Sequence, residues 1–408
     1  VRVSRITVKN FRNYIDAALD LSGGRNILIG ENAQGKTNLL EAIELIACGR
    51  SDRAGSDREL VRKGETQALI EVSYEAAGYS ETASLILTAG ERTSRKGRIN
   101  GVSQPVGKRL SARLITVSFK ASDLSLLRGG PKFRRDWLDQ LVFKLKSSHF
   151  DLTSRYDKVV QQRNRLLKDF AERGRVTSQD IDELKVWDKQ IAQYGSQIIK
   201  QRVHVLSLVL PLAEDNHTNI SGKREKLTAS YIFRLPDEEA EVQGYDDEPR
   251  PRKVEQTIGV EELNSMSLQE LYELLLKLLR NRRAEEVARK QTLSGPHRDD
   301  IIFSLNDFAA TAYASQGQQR SLVLSLKLAE LALVGERLEE PPLLLLDDVL
   351  AELDLGRQRM LMELVNNDMQ TLITTTDLDG FRPEWLEGAQ VVNVHDGRIL
   401  SDCGKKED

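Results

Sequence analysis

Glycines, a lysine, hydroxyls and paired carboxylates gather in three short stretches: GENAQGKT (30–37), YASQGQQRS (313–321) and LLLLDD (343–348). In the first, Gly30 and Gly35 let the backbone wrap so that its N–H groups face phosphate oxygens, at the start of a helix that favours negative charge. Lys36 is the residue to pair with β and γ phosphates, and the Thr37 hydroxyl the one to hold Mg²⁺. The whole loop, Gly30, Glu31, Asn32, Ala33, Gln34, Gly35, Lys36, Thr37 and Asn38, is the candidate nucleotide contact. In the last stretch, Asp347 is placed to hold the magnesium water shell. Asp348 is placed to orient or deprotonate an attacking water, with Lys36 as its catalytic companion. In the middle stretch, Ser315, Gly317 and Gln318 precede a helix expected to start near Gln319, a second anion-seeking terminus.

Each stretch has a plainer explanation: a chance glycine-rich turn, an N-capped helix, a solvated Asp348 capping a helix. The first fails because the eight-residue pattern is complete. The last fails because two adjacent carboxylates after a buried strand repel unless metal or donors offset them. The middle stretch gains its weight from the other two, since a phosphate loop and a distant phosphate-binding terminus together make a composite site.

The elements that must position these residues are legible in outline. The apolar run 26–29 precedes the loop, and a helix from about Thr37 to Ala47 follows, with Leu39, Leu40, Ile43, Leu45 and Ile46 available for burial. Strand, glycine loop and helix form the context such a loop requires. The four leucines of LLLLDD fit a parallel strand buried on both faces, with its carboxylates at the C-terminal end, where α/β ligand sites lie. Residues 1–120 read as strand-rich, and strands return at IIFSL (301–305) and TLITTTD (371–377), with a hairpin at 391–399. Between them the period changes. Leu152, Tyr156, Val159, Leu166 and Phe170 form one helical stripe, interrupted by Arg163, and Leu184, Trp187, Ile191, Tyr194 and Ile198 form another. The two predict an antiparallel helical hairpin, followed by a third helix over Ser267–Lys290. The expected fold is therefore α/β: a nucleotide-binding head at 1–135 and 290–408, split by a helical insertion domain at 136–289.

Composition narrows the function. The chain has 408 residues, 40% hydrophobic and 30% charged, so two domains are expected. No apolar run reaches membrane-spanning length, since Lys327 and Glu330 interrupt 321–335. VRVSRITVKNF reads as a strand and not as a signal peptide. Cys48 and Cys403 support neither a disulfide framework nor a metal cluster, so a cytoplasmic protein without a membrane partner is expected. The net charge of −3 is partitioned. Cations gather at Arg128, Lys132, Arg134 and Arg135 and at Arg155, Lys158, Arg163, Arg165, Lys168, Arg173 and Arg175, while 236–249 is acidic. Such cationic groups can follow a nucleic-acid backbone independently of sequence. The plainer alternative for 155–175 is a solvated helix face, because Asp157, Asp169 and Glu172 are interleaved. An aromatic content of 5% argues against an extensive base-stacking platform.

The order GENAQGKT, SQGQQR, LLLLDD and ELD (352–354) resembles the ABC-type ATPase head, and in particular the RecF family of bacterial recombination-mediator ATPases. NFRNY (10–14), ASDLSLLRGGPKFRRDWLD (121–139), TLSGPHRDD (292–300) and TTTDLD (374–379) carry the resemblance over nearly the whole chain. It implies ATP and Mg²⁺ as cofactors, with ATP held between two heads. Lys36 and Thr37 would lie in one subunit, with Ser315, Gly317 and Gln318 of the other on the γ-phosphate and Asp354 steadying the interface. Arg12 and Asn13 would sit beside the base or ribose, against the alternative of ordinary surface polar residues. It further implies an ATP-dependent homodimer that binds double-stranded and gapped DNA and is released by slow hydrolysis. The partners implied are RecR and RecO, with RecA loaded on gaps coated by single-strand-binding protein, in support of the SOS response. The implied address is the cytoplasm, on the nucleoid when DNA is bound.

Two departures stand out. Asp348 replaces the Glu of many ABC ATPases, and TTTDLD offers Thr376 and Asp377 where many carry a phosphate-sensing His. His297 stays open between a structural bond and a phosphate contact. The competing classes are a transport ATPase, which needs a membrane partner, and a static DNA tether without turnover. A nuclease or helicase finds no spare carboxylates and no motor motifs.

Overall fold

The computed structural model describes residues 1–90, 93–104, 110, 113–174, 176–233, 256–338, 340–350, 353, 355–364, 368–378, 381 and 383–400. Alternation of apolar and polar positions gives β1 (Arg2–Phe11) and β2 (Tyr14–Asp20), and a continuously buried run gives β3 (Arg25–Ile29) ahead of helix α1 (Lys36–Cys48). Strands β4 (Gln67–Ala76), β5 (Tyr79–Thr88), β6 (Ser94–Ile99), β7 (Val102–Gln104) and β8 (Thr116–Lys120) follow. Helices then take over as α2 (Ser125–Arg128), α3 (Pro131–Leu145), α4 (His149–Arg173) and α5 (Ser178–Ser221). Strands β9 (Leu227–Phe233) and β10 (Gln256–Gly259) precede α6 (Val260–Ser265), α7 (Leu268–Asn281) and α8 (Arg283–Arg289). Next come β11 (Asp300–Leu305), β12 (Phe308–Ala309), α9 (Ala310–Tyr313) and α10 (Gln316–Leu338). The chain ends with β13 (Leu343–Asp347), α11 (Leu355–Leu364), β14 (Thr371–Thr375), α12 (Pro383–Leu386), β15 (Gln390–His395) and β16 (Arg398–Leu400).

Two units result, one of residues 1–123 with 330–408 and one of residues 124–329. The first holds two six-stranded sheets, ordered β2-β1-β4-β5-β6-β7 and β16-β15-β3-β14-β13-β8. In the second of these, β15, β3, β14, β13 and β8 run parallel. Leu343–Leu346 are buried along all of β13, which explains a strand without alternation. Helix α1 touches β1, β4 and β5 of one sheet and β13 and β14 of the other. It is therefore buried nearly all round, and its sequence is apolar on more than one stripe. The phosphate loop joins β3 to α1, and the paired carboxylates end β13, two strands from β3 in the same sheet.

The second unit contains the expected helical hairpin. Leu152, Tyr156, Val159 and Val160 of α4 pack with Ile191 and Ile198 of α5 and Leu279 of α7. Helix α5 starts at a Thr177–Asp180 capping box, and α7 at a Ser267–Glu270 one. The single helix expected over Ser267–Lys290 is instead two, α7 and α8, with Arg282 between them off helical geometry. The region between 136 and 289 is also not wholly helical, because β9 pairs with β10 and β11 in a four-stranded sheet ordered β10-β9-β11-β12. That sheet, and the contacts of α3 with α5 and β11, draw in residues on both sides of the boundaries expected at 135/136 and 289/290. The units accordingly divide at 123/124 and 329/330. The acidic stretch 236–249, Arg175, Glu352 and Asp354 lie outside the described residues.

Candidate functional site

The loop's shape follows from close approaches that only small residues allow. A side chain at Gly30 would place its Cβ 2.2 Å from the Val394 carbonyl of β15. Gly35 has φ +119°, and a Cβ there would stand 2.9 Å from the Asn13 amide and the Tyr14 hydroxyl. The loop is pinned from outside. Tyr14 Oη donates to Gly35 O at 3.1 Å, and burial raises the Tyr14 pKa, keeping the phenol a neutral donor. Asn13 Nδ2 donates to Gln34 O at 2.9 Å and Asn38 Nδ2 donates to Asn13 Oδ1 at 2.8 Å. Gly397 N and Asp396 N, from the turn between β15 and β16, donate to the Gln34 backbone and side-chain oxygens at 2.9 and 2.6 Å. Lys36 is buried, and its Nζ donates to Gly30 O at 2.5 Å and Glu31 O at 3.0 Å. The ammonium is thus held within the loop curve, where a phosphate oxygen can replace carbonyl partners.

The carboxylates meet the loop through hydroxyls. Thr37 Oγ1 donates to Asp347 Oδ1 at 2.7 Å, and Thr374 Oγ1, at the end of β14, donates to the same oxygen at 2.8 Å. Asp348 N in turn donates to Thr374 Oγ1 at 2.9 Å, which fixes the backbone that carries the next carboxylate. Asp348 sits in the left-handed region, at φ +53°, a conformation Asp tolerates better than most residues. A hydroxyl and a carboxylate oxygen 2.7 Å apart form a hard-oxygen pair that suits a magnesium ion keeping waters and phosphate as its other ligands. Thr374 was not legible as a site residue. The nearest signal was its place at the end of a strand that runs beside β13.

Arg12, Asn13, Asn32, Ala33, Gln34, Gly35, Lys36, Thr37, Asn38 and Asp348 together line one cleft of 1010 Å³. Its outer wall carries Arg53, Arg58, Arg62 and Lys63, which sequence reasoning passed over. Arg12 is no plain surface residue. Its guanidinium donates to both oxygens of buried Glu41 at 2.8 and 2.6 Å, and Ser51 Oγ donates to Glu41 as well. A carboxylate within the apolar helix α1 was the available signal, because burial demands a cationic partner.

Ser315, Gly317 and Gln318 lie in the second unit, at the start of α10. That helix begins at Gln316 and not near Gln319. Gly317 and Gln318 therefore belong to its first turn, with Ser315 just ahead of it. Gln318 N donates to Ser315 Oγ at 3.3 Å while Ser315 N donates to Gln318 Oε1 at 2.7 Å, a reciprocal cap. Ser315, Gln316 and Gly317 are exposed. Arg128, from the SLLRGGP segment, donates through Nε to Gln319 Oε1 at 2.9 Å and so braces this first turn.

Two of the candidate nucleic-acid cations are internal, which corrects the sequence expectation. Arg134 is buried and donates to both oxygens of Asp300 at 2.7 and 2.9 Å. Arg163 is 0% exposed and donates to Asp188, Thr292 and Glu286 at 2.9, 3.0 and 2.6 Å. A basic residue at an apolar stripe position is a buried partner and not a backbone-tracking group. Arg128, Lys132, Arg155, Lys158, Arg165, Lys168 and Arg173 are exposed. Both ring nitrogens of His297 have protein partners, with Tyr156 Oη 2.6 Å from Nδ1 and Thr292 O 3.3 Å from Nε2. Thr376 and Asp377 are exposed beyond β14 and bond to each other at 3.1 Å. No helix among the described residues is long and apolar enough to cross a membrane.

Comparison with known proteins covers nearly the whole chain. A family model described as the RecF/RecN/SMC N-terminal domain matches residues 2–394. A DNA replication and repair protein RecF from Microcystis aeruginosa is 39% identical over 404 residues, covering 98% of this chain and 99% of the relative. A protein of the same description from a Synechococcus species is 41% identical over 394 residues, covering 96% of each. A solved structure of the recombination mediator protein RecF with ATP, in the RecFOR pathway, superposes with TM-score 0.81 at 29% identity, covering 98% of this chain and 97% of the other. The phosphate loop, the carboxylate pair and the capped α10 start are thus carried on an ABC-type ATPase head, and by sequence and fold over nearly its whole length the chain belongs to the RecF family.

Proposed function

We propose that this chain is an ATP-driven DNA clamp of recombinational repair, dimerising on ATP and released by slow hydrolysis. The observation that carries the reading is that two half-sites are each built to completion within their own unit. One is the phosphate loop with Thr37, Asp347 and Asp348, and the other is the capped corner Ser315–Gln318, exposed at Ser315, Gln316 and Gly317. Two chains would place the corner of one on the nucleotide of the other, and Asp354 is the residue proposed to steady that interface. The γ-phosphate then supplies the differential contact that favours the closed pair. Lys36 takes phosphate charge, Thr37 and Asp347 hold the ion, and Arg12 with Asn13 flanks the base or ribose. Bound Mg²⁺ supplies neutralisation of the phosphate charge. Asp348, oriented through its backbone bond to Thr374, accepts the proton of the attacking water or aligns it. An Asp is shorter than the Glu of many ABC ATPases, so turnover is slow.

The relatives' description as DNA replication and repair proteins supports DNA as the effector, and their RecFOR pathway supports RecR and RecO as partners in loading RecA at gaps. The address is then the cytoplasm and nucleoid. Exposed cations of α4 and the Arg128–Lys132 turn are candidates to follow a duplex or gapped backbone. The test is fluorescence anisotropy of a labelled gapped duplex. Binding is expected to be tighter with Mg-ATP than with Mg-ADP, to weaken steeply with salt, and to be lost in Lys36→Ala. Equal binding in both nucleotides overturns the switch, and failure to bind in either overturns the repair assignment. Release of DNA on hydrolysis separates the clamp from a static tether.

A further inference from the structure

Gln318 does more than cap α10 in reciprocity with Ser315. Its Nε2 donates to Glu225 Oε1 at 2.8 Å while its Oε1 accepts from Ser315 N. The carboxamide therefore has one permitted orientation. Flipped, it would set its oxygen against a carboxylate and its NH₂ against a backbone N–H. Glu225 lies in the connection between α5 and β9 and is itself held, because its Oε2 accepts from His217 Nε2 at 2.9 Å. His217 is 0% exposed, near the C-terminal end of α5, and its Nδ1 stands 3.3 Å from Ser325 Oγ on α10. The hydroxyls then lead back along the helix. Ser325 Oγ donates to Ser321 O at 2.8 Å, and Ser321 Oγ donates to Gly317 O at 3.1 Å. A chain of bonds thus runs from His217 of α5 through Glu225 to the first turn of α10, and the hydroxyls along that helix end beside the same His217 ring. It passes through all three candidate residues of the corner.

Resting on the two-chain reading above, we propose that Glu225, anchored by His217, is a positioning residue for the composite ATP site. It holds the Gln318 carboxamide, and through it the Ser315 backbone, so that the Ser315 hydroxyl, which accepts from Gln318 N, stays in the arrangement that meets a nucleotide on a second copy of the chain. Such a corner is otherwise a half-exposed helix start whose amide would rotate freely, and a site so loosened loses affinity without losing its parts. Glu225 touches neither the phosphate loop nor the carboxylates, so its removal should separate nucleotide binding by one chain from association of two.

The experiment compares wild type, Glu225→Ala and Glu225→Gln in three measurements: melting temperature, affinity of the dilute monomer for a fluorescent ATP analogue, and the dimer dissociation constant in Mg-ATP by sedimentation. Gln at 225 can still accept from Gln318 Nε2, with the His217 tautomer adjusting to its amide. Expected for Glu225→Ala is unchanged nucleotide affinity with dimerisation weakened about tenfold or more, the scale of one lost charge-assisted hydrogen bond. Glu225→Gln should recover most of that loss. Dimerisation of Glu225→Ala equal to wild type overturns the inference, as does a Glu225→Gln variant as weak as Glu225→Ala. A wild type that stays monomeric in Mg-ATP overturns the two-chain reading itself and the inference with it.

Discussion

His297 lies between the hydroxyl of Tyr156 and the carbonyl of Thr292. Burial pulls its pKa down to about 3, with Arg298, Arg135 and Arg202 adding to that against the Thr292 bond. The neutral ring fits both bonds, donating from Nε2 and accepting at Nδ1. In an unfolded chain the same ring titrates near about 6.5. Between pH 6.5 and 3 the unfolded state therefore holds the extra proton, so the stability is whole above about 6.5 and falls as the pH drops through that window. The slope from this one group is at most about 1.4 kcal/mol per pH unit. Melting temperatures of wild type and His297→Gln, taken at pH 7.5 and pH 5, should show the steeper acid loss in wild type; parallel losses would remove His297 as the cause. At this scale the sequence disclosed residue types but not their partners. The strand, loop and helix around the eight-residue pattern, and the place of Asp347 at the end of a buried strand, were legible because each is written in a contiguous stretch. Thr374 and the Glu41 clasp on Arg12 were not, because the chain brings them together from distant strands and helices.

Helices α4, α5 and α8 are joined by a charge cluster as well as by an apolar core. Arg163 bonds Asp188 and Glu286, Arg283 reaches Asp188 at 2.9 Å, and Leu293 N donates to Glu286 at 2.7 Å. Glu286 is fully buried, and burial raises its pKa even against the Arg163 charge. Replacing Arg163 with Met leaves that carboxylate without its cation and is expected to cost about 3–5 kcal/mol. Arg165→Ala, on the exposed face of the same helix, should stay within about 0.5 kcal/mol. Denaturant unfolding of the two variants beside wild type checks this, and equal midpoints would contradict it. The hairpin itself was legible, since its stripes repeat locally every three or four residues. The strands β9 and β10 were not. β9 pairs with β11 some seventy residues later in the chain, and β10 stands across the acidic stretch, so no local period announces either.

For the whole molecule, the head's first unit is made from both ends of the chain, so its parallel sheet forms only when residues 25–29, 116–120, 343–347, 371–375 and 390–395 come together. The order of motifs along the chain was enough to anticipate that closure. The division between units was not, because sheet pairing and helix packing across the expected boundaries decide it. Whether one chain completes the nucleotide site of another is read from the solution mass of the protein with Mg-ATP. A single chain is 46.0 kDa. This mass is expected to double with Mg-ATP, to stay single in Lys36→Ala and Ser315→Arg, and to remain doubled longer in Asp348→Asn than in wild type. A mass that stays at the single-chain value with ATP, or a Ser315→Arg variant that doubles as wild type does, would contradict it.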